Sequence, residues 1–118
     1  MLKNKASNNL RAGEALAVLG LRDPAASRYY YAMFQAAVHR LTVLGWTPGR
    51  LERGAVRWGH AMVANNVLLV RKLRSDRDLY AEMQDLRERA DYRDDSVKQE
   101  RLAARVAAVR EFVEEATR

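Results

Sequence analysis

The chain has 118 residues and no cysteine, with 21 Lys and Arg against 15 Asp and Glu, a formal charge of +6. One domain accounts for that length, and a hydrophobic content of 48% is that of a folded chain rather than a disordered one. Without cysteine there is no disulfide framework, thiolate zinc site or cysteine nucleophile. The longest uncharged stretches, Tyr29 to Val38 and Ala61 to Val70, fall short of the roughly 20 residues that span a bilayer. The start, Met1-Leu2-Lys3-Asn4-Lys5, carries no apolar signal core. A soluble, cytoplasmic single domain over 1–118 is expected.

Helix signals divide the chain into five segments, roughly 3–20, 24–44, 48–73, 76–91 and 96–117. Asp23-Pro24 and Thr47-Pro48 each read as an N-cap followed by proline at the first helical position. In the second segment Tyr30, Phe34, Ala37, Leu41 and Leu44 recur at helical spacing, and its apolar character predicts a central helix. The third carries Leu51, Ala55, Trp58, Met62, Leu69 and Leu73 at similar steps, interrupted by Asn65 and Asn66. Ser75 precedes acidic residues at the start of the fourth, and Ser96-x-x-Gln99 fits a capping box for the fifth. The fifth shows a narrower stripe, Leu102, Val106, Val109 and Val113. No alternating β-branched run or Asn-Gly hairpin signal occurs. The expected fold is all-α, an antiparallel up-and-down bundle of four to five helices.

The positive charge is uneven. Residues 1–60 hold 9 basic and 3 acidic side chains, whereas residues 61–118 hold 12 of each. Of the basic residues 17 are Arg, whose planar fork matches phosphate, so a nucleotide or RNA partner is the functional reading of the excess. On the second helix Arg28, Ala32, Gln35 and His39 form one stripe. An arginine on a central helix calls for a carboxylate or an anionic ligand, and Asp91 in Leu86-Arg87-Glu88-Arg89-Ala90-Asp91-Tyr92 is the candidate carboxylate. Tyr29, Tyr31 and Trp46 are candidate stacking groups or dimer anchors, with core packing as the alternative. Arg53 and His60 are seven residues apart, so on one helix they share a face, with Arg57 between them and Arg71 farther along. Two histidines without a spaced carboxylate give no metal site, and no glycine-rich phosphate loop or G-x-S-x-G motif occurs. No cofactor is expected.

Ser27-Arg28-x-Tyr30-Tyr31-Ala32-Met33-Phe34-x-Ala36-Ala37, followed downstream by Leu86-Arg87-x-x-Ala90-Asp91-Tyr92 and with Trp58-x-His60 between, resembles the HEPN family (higher eukaryote and prokaryote nucleotide-binding domain). The closest look is to its small prokaryotic single-domain members. The resemblance covers about residues 23–95. It implies a helical bundle, usually a homodimer, often paired with a small nucleotidyltransferase as toxin and antitoxin, and in many members a metal-independent ribonuclease. On that pattern Arg53 and His60 are the catalytic pair, the histidine moving a 2′-hydroxyl proton as acid or base and the arginine binding the scissile phosphate, with Arg57 adding electrostatic attraction. Arg28, Tyr31 and Arg57 are the candidate nucleotide- or RNA-binding residues. The sequence departs from the active pattern at Gly54, usually polar, and at Met62, often tyrosine. A non-catalytic module binding a nucleotide or a partner protein is the alternative.

Overall fold

The computed structural model describes residues 2–47, 49–50, 56–57 and 59–118, the last two short stretches before residue 59 by backbone alone. Among these residues there are six helices, α1 (Leu2–Val18), α2 (Arg22–Val43), α3 (His60–Asn66), α4 (Leu68–Arg71), α5 (Ser75–Tyr92) and α6 (Gln99–Ala116). Two strands of two residues each, β1 (Gly49–Arg50) and β2 (Val56–Arg57), pair antiparallel with Gly49 opposite Arg57. The fold is helical, as the sequence predicts. None of these helices is long and apolar enough to cross a membrane.

Helix α2 is the centre. It buries Ala25, Ala26, Tyr29, Tyr30, Ala32, Met33, Ala36, Ala37, Val38 and Leu41, so apolar residues cover most of its circumference rather than one stripe. Helices α1, α5 and α6 pack on it. Its five buried alanines let its neighbours approach closely, and Leu10, Leu86, Met83, Phe112 and Val113 fill the space between them. Leu44, expected on the same stripe, is exposed because the helix has ended.

The ends of α1 and α2 close in the same way. Gly20 N–H bonds to Ala17 O and Leu21 N–H to Leu16 O, while Gly45 and Trp46 repeat the pattern on Thr42 and Leu41. Both glycines have positive φ, 77° and 96°, the left-handed turn that lets the chain leave a helix without stranding its last carbonyls.

Three expected N-caps are absent. Helices α2, α5 and α6 start at Arg22, Ser75 and Gln99, and none has a side-chain cap hydrogen bond. Asp23 lies inside the first turn of α2, and its Oδ1 accepts the Val97 N–H at 2.7 Å. That bond draws the α5–α6 connection onto α2 and seats Val97, 1% exposed, in the core. Since Val97 N–H is held from across the fold, Asp23→Ala is expected to cost about 1 kcal/mol. It should also speed exchange of the Val97 amide, with Asp23→Asn retaining the acceptor and most of the protection.

The expected helix over 48–73 does not form as one element, so the described residues hold six helices rather than four or five. Gly59 is extended (φ −93°, ψ 148°) and serves as the N-cap of α3, so no helix runs through it from upstream. Leu51, Ala55 and Trp58 lie outside the described residues, and Thr47 starts no helix. At the other end Asn66 Nδ2 donates to Met62 O, and the chain pauses at Val67 before α4. Lys72, with φ 60°, then terminates α4.

Arg71, read from the sequence as continuing the Arg53–His60 face, is instead an internal clasp. Its Nε and Nη2 donate to both Asp76 oxygens at 2.7 Å, and Nη1 donates to Glu111 and Glu115 at 3.0 Å. The guanidinium also lies 5.6 Å from the Phe112 ring centroid. Hydrogen bonding to Asp76 is the main reason its pKa is raised.

Candidate functional site

The site forms where the end of α5 and the start of α3 meet the middle of α2. Tyr30 and Tyr31 lie one turn before Phe34 on α2, and His60 is the first residue of α3, delivered to them by the extended Gly59. The half-buried imidazole stacks on Phe34, with centroids 4.5 Å apart and planes at 28°, and meets Tyr31 edge-on at 6.1 Å. Its Nδ1 is 2.5 Å from the Tyr30 hydroxyl, which in turn is 3.2 Å from the Tyr80 hydroxyl of α5. Both phenols are buried. Burial pushes their pKa values up, outweighing for Tyr30 the opposing pull of the Tyr80 hydrogen bond and Arg87. They remain protonated phenols at neutral pH.

Arg87 closes this cluster from α5. Its guanidinium lies within 5.5–5.7 Å of the ring centroids of Tyr30, Tyr31 and Tyr92, and Nη2 donates to the Tyr31 hydroxyl at 3.0 Å. Nε sits 3.1 Å from Asp91 Oδ2, one turn on along the helix, yet is not aligned for a hydrogen bond. Burial alone would lower the Arg87 pKa, but the surrounding phenols and Asp91 together raise it. Arg87 therefore holds the end of α5 to α2 through Tyr31.

Arg28 is not the buried cation the central helix suggested. It is exposed, and its Nη1 donates to Asn9 Oδ1 at 3.1 Å. Asn9 Nδ2 in turn donates to Gln35 Oε1 at 2.7 Å, linking α1 to two turns of α2. The expected Arg28–Asp91 pair is absent because Asp91 is engaged by Arg87 on its own helix. Even so, Arg28, Tyr31 and Asp91 line one open cleft of about 460 Å³ with Asn9, Ser27 and Gln35.

Of the residues singled out from sequence, the structure sets Tyr31 beside His60 and Arg28 in the cleft that Tyr31 also lines. Arg53 lies outside the described residues, and Arg57 is placed in β2 by its backbone. Their proposed common helical face with His60 is not available, since the helix begins at His60 itself. Tyr29 is not a stacking group. It is 1% exposed and lies against Gly13. Trp46, at 39%, is exposed, and His39 is half-buried on α2.

Tyr30 as the partner of His60, Tyr80 behind it and Arg87 as the hub were not foreseen as a unit. Tyr80, Met83 and Arg87 are spaced by three and four residues, so their shared face was readable; that it meets His60 was not. No family model and no curated protein matches the chain.

Proposed function

We propose that the chain is a HEPN-like helical module, an antiparallel up-and-down bundle, that binds a phosphate-bearing ligand, RNA or a nucleotide, in the cleft beside α2 without cleaving it. The observation that carries this reading is the convergence of Arg28 and Tyr31 on one cleft. Asn9 steadies the exposed Arg28 guanidinium, which presents a fork suited to a phosphate. Tyr31, pinned by Arg87, offers a fixed aromatic edge for a base. Arg57, of the same basic half of the chain, belongs to this proposal as a further phosphate contact on the sequence alone. The homodimer, the nucleotidyltransferase partner, the toxin–antitoxin setting and the cytoplasmic location belong to the same proposal and rest on the resemblance alone.

A second reading, metal-independent RNA cleavage by His60 with Arg53, is favoured by one observation: the Tyr30 hydroxyl orients the imidazole. Titrating labelled RNA in EDTA, with the products run on a gel, separates the two. The expected result is binding that weakens steeply with salt, no cleavage, and a loss of about tenfold or more in Arg28→Glu. Cleavage that disappears in a folded His60→Ala protein establishes the second reading. A folded protein that binds neither RNA nor nucleotides overturns the first.

A further inference from the structure

Tyr29 is the exception among the buried tyrosines. The hydroxyls of Tyr30 and Tyr80 meet each other, whereas that of Tyr29, on a residue 1% exposed, makes no hydrogen bond among the described residues. Buried phenols are nearly always hydrogen-bonded, so an unmatched one calls for an explanation. The Tyr29 oxygen is not sealed in, since the unpaired side-chain atom closed off from solvent among the described residues is Arg87 Nε. Tyr29 instead opens on a cavity of about 400 Å³ between the last turns of α1, the first turns of α2, and α6. This cavity shares no lining residue with the cleft of Arg28 and Tyr31.

The charges around it leave one cation over. Arg110 Nη2 lies 2.6 Å from Glu14 Oε2, so these two lining residues offset each other at the rim. Arg22, the first residue of α2, is half-buried and also lines the cavity. Among the described residues its guanidinium has no ion pair or hydrogen bond, and the neighbouring carboxylate, Asp23, is turned to the Val97 N–H. Arg22 and Tyr29 are seven residues apart, nearly two turns, so they share a face of α2. Helical side chains lean toward the N-terminus, which carries the Tyr29 hydroxyl toward Arg22. Burial and Glu14 push the Tyr29 pKa up against the pull of Arg110, so at neutral pH the hydroxyl keeps its hydrogen as a donor. From α6, Leu102 and Val106 supply an aliphatic wall.

We propose that this cavity is a second ligand site, built for a small aliphatic carboxylate: the carboxylate pairs with Arg22 and accepts from the Tyr29 hydroxyl, while the hydrocarbon chain lies on Leu102 and Val106. The volume falls within the roughly 300–1,000 Å³ of small-molecule sites. Arg22 repels a cation, and a neutral apolar molecule leaves both polar groups unmatched. A bare inorganic anion leaves the aliphatic wall in water. The proposal does not depend on RNA binding in the other cleft.

Octanoate is the probe, titrated into the 15N-labelled full chain while amide shifts are followed, with 1-octanol as its neutral counterpart. Saturable shifts are expected at the end of α1, the start of α2 and along α6, with 1-octanol weaker by about tenfold. Arg22→Gln should weaken octanoate by about tenfold and Tyr29→Phe by about threefold. Tyr29→Phe should also leave the urea midpoint unchanged, because the hydroxyl it removes has no partner in the free protein. A lowered midpoint would make that hydroxyl structural and overturn its place in the site. Ala103 is exposed on the α6 rim of the cavity, so Ala103→Trp should fill the space and abolish the shifts, even if Arg22→Gln does not fold. Arg28→Glu should bind octanoate as wild type does. Absent or non-saturable shifts, equal binding of octanoate and 1-octanol, undiminished binding in Arg22→Gln or Ala103→Trp, or lost binding in Arg28→Glu overturns the proposal.

Discussion

Arg71→Met is expected to destabilise the fold by about 3–5 kcal/mol, whereas Asp76→Ala at the other end of the same pair should cost about 1–2 kcal/mol. The asymmetry follows from what each variant leaves behind. Asp76 is 1% exposed and both its oxygens are taken by Arg71, so removing the guanidinium strands a carboxylate with no other partner of opposite charge in the clasp. Arg71, by contrast, keeps Glu111 and Glu115 at 3.0 Å when Asp76 is gone. Those two side chains are 61% and 36% exposed, so water screens their contribution, but they still prevent an unpaired cation. Methionine retains most of the apolar stem over Phe112, which keeps packing loss out of the comparison. Urea denaturation of both variants measures the difference. Equal losses in the two variants would mean that the clasp acts by packing rather than by charge.

The helical fold was legible because helical spacing recurs along the chain in segments long enough for it to register. Helices α1, α2, α5 and α6 fall within a few residues of the spans that spacing predicts. The start positions were misread for a physical reason: Asp23, Ser75 and Ser96 are residue types that cap helices, yet nothing local decides which backbone donor a carboxylate takes. Asp23 takes Val97 N–H, 74 residues away, a partner that only the assembled fold supplies. The region after α2 failed differently. Leu51, Ala55 and Met62 have helical spacing, but Gly59 is extended and β1 pairs with β2 across the intervening residues. The candidate site was legible in part for the same reason. Arg28 and Tyr31 are three residues apart on one helix, so their shared face needs no tertiary information. That His60 reaches Tyr30, and that Tyr80 and Arg87 arrive from α5, depends on how three helices cross.

The close approach of α1 to α2 at Gly13 is the second feature with a large expected effect. Gly13 is buried beneath the Tyr29 ring, and a Cβ added there would stand 3.1 Å from Cδ1 and 3.2 Å from Cγ and Cε1. Glycine in mid-helix is normally about 1 kcal/mol worse than alanine, so contact with Tyr29 is what favours it here. Gly13→Ala should therefore fall within about 1 kcal/mol of wild type, the gain in helix propensity opposing the tight ring contact. Gly13→Val adds two methyl groups against a ring that is 1% exposed and held by the core, and is expected to lose about 2–3 kcal/mol. Tyr29→Ala opens the space those methyl groups need. Adding it to Gly13→Val should cost less than the sum of the single variants by at least about 1 kcal/mol. Additive losses would show that the valine is resisted by the α1 backbone or by a neighbour other than Tyr29. Since Asn9 lies one turn before Gly13 on α1, spreading the two helices also draws Asn9 from Gln35 and Arg28. On the proposed binding role of the cleft, a Gly13→Val protein that still folds should for that reason bind RNA more weakly than Gly13→Ala, linking the packing of α1 on α2 to the cleft it helps to build.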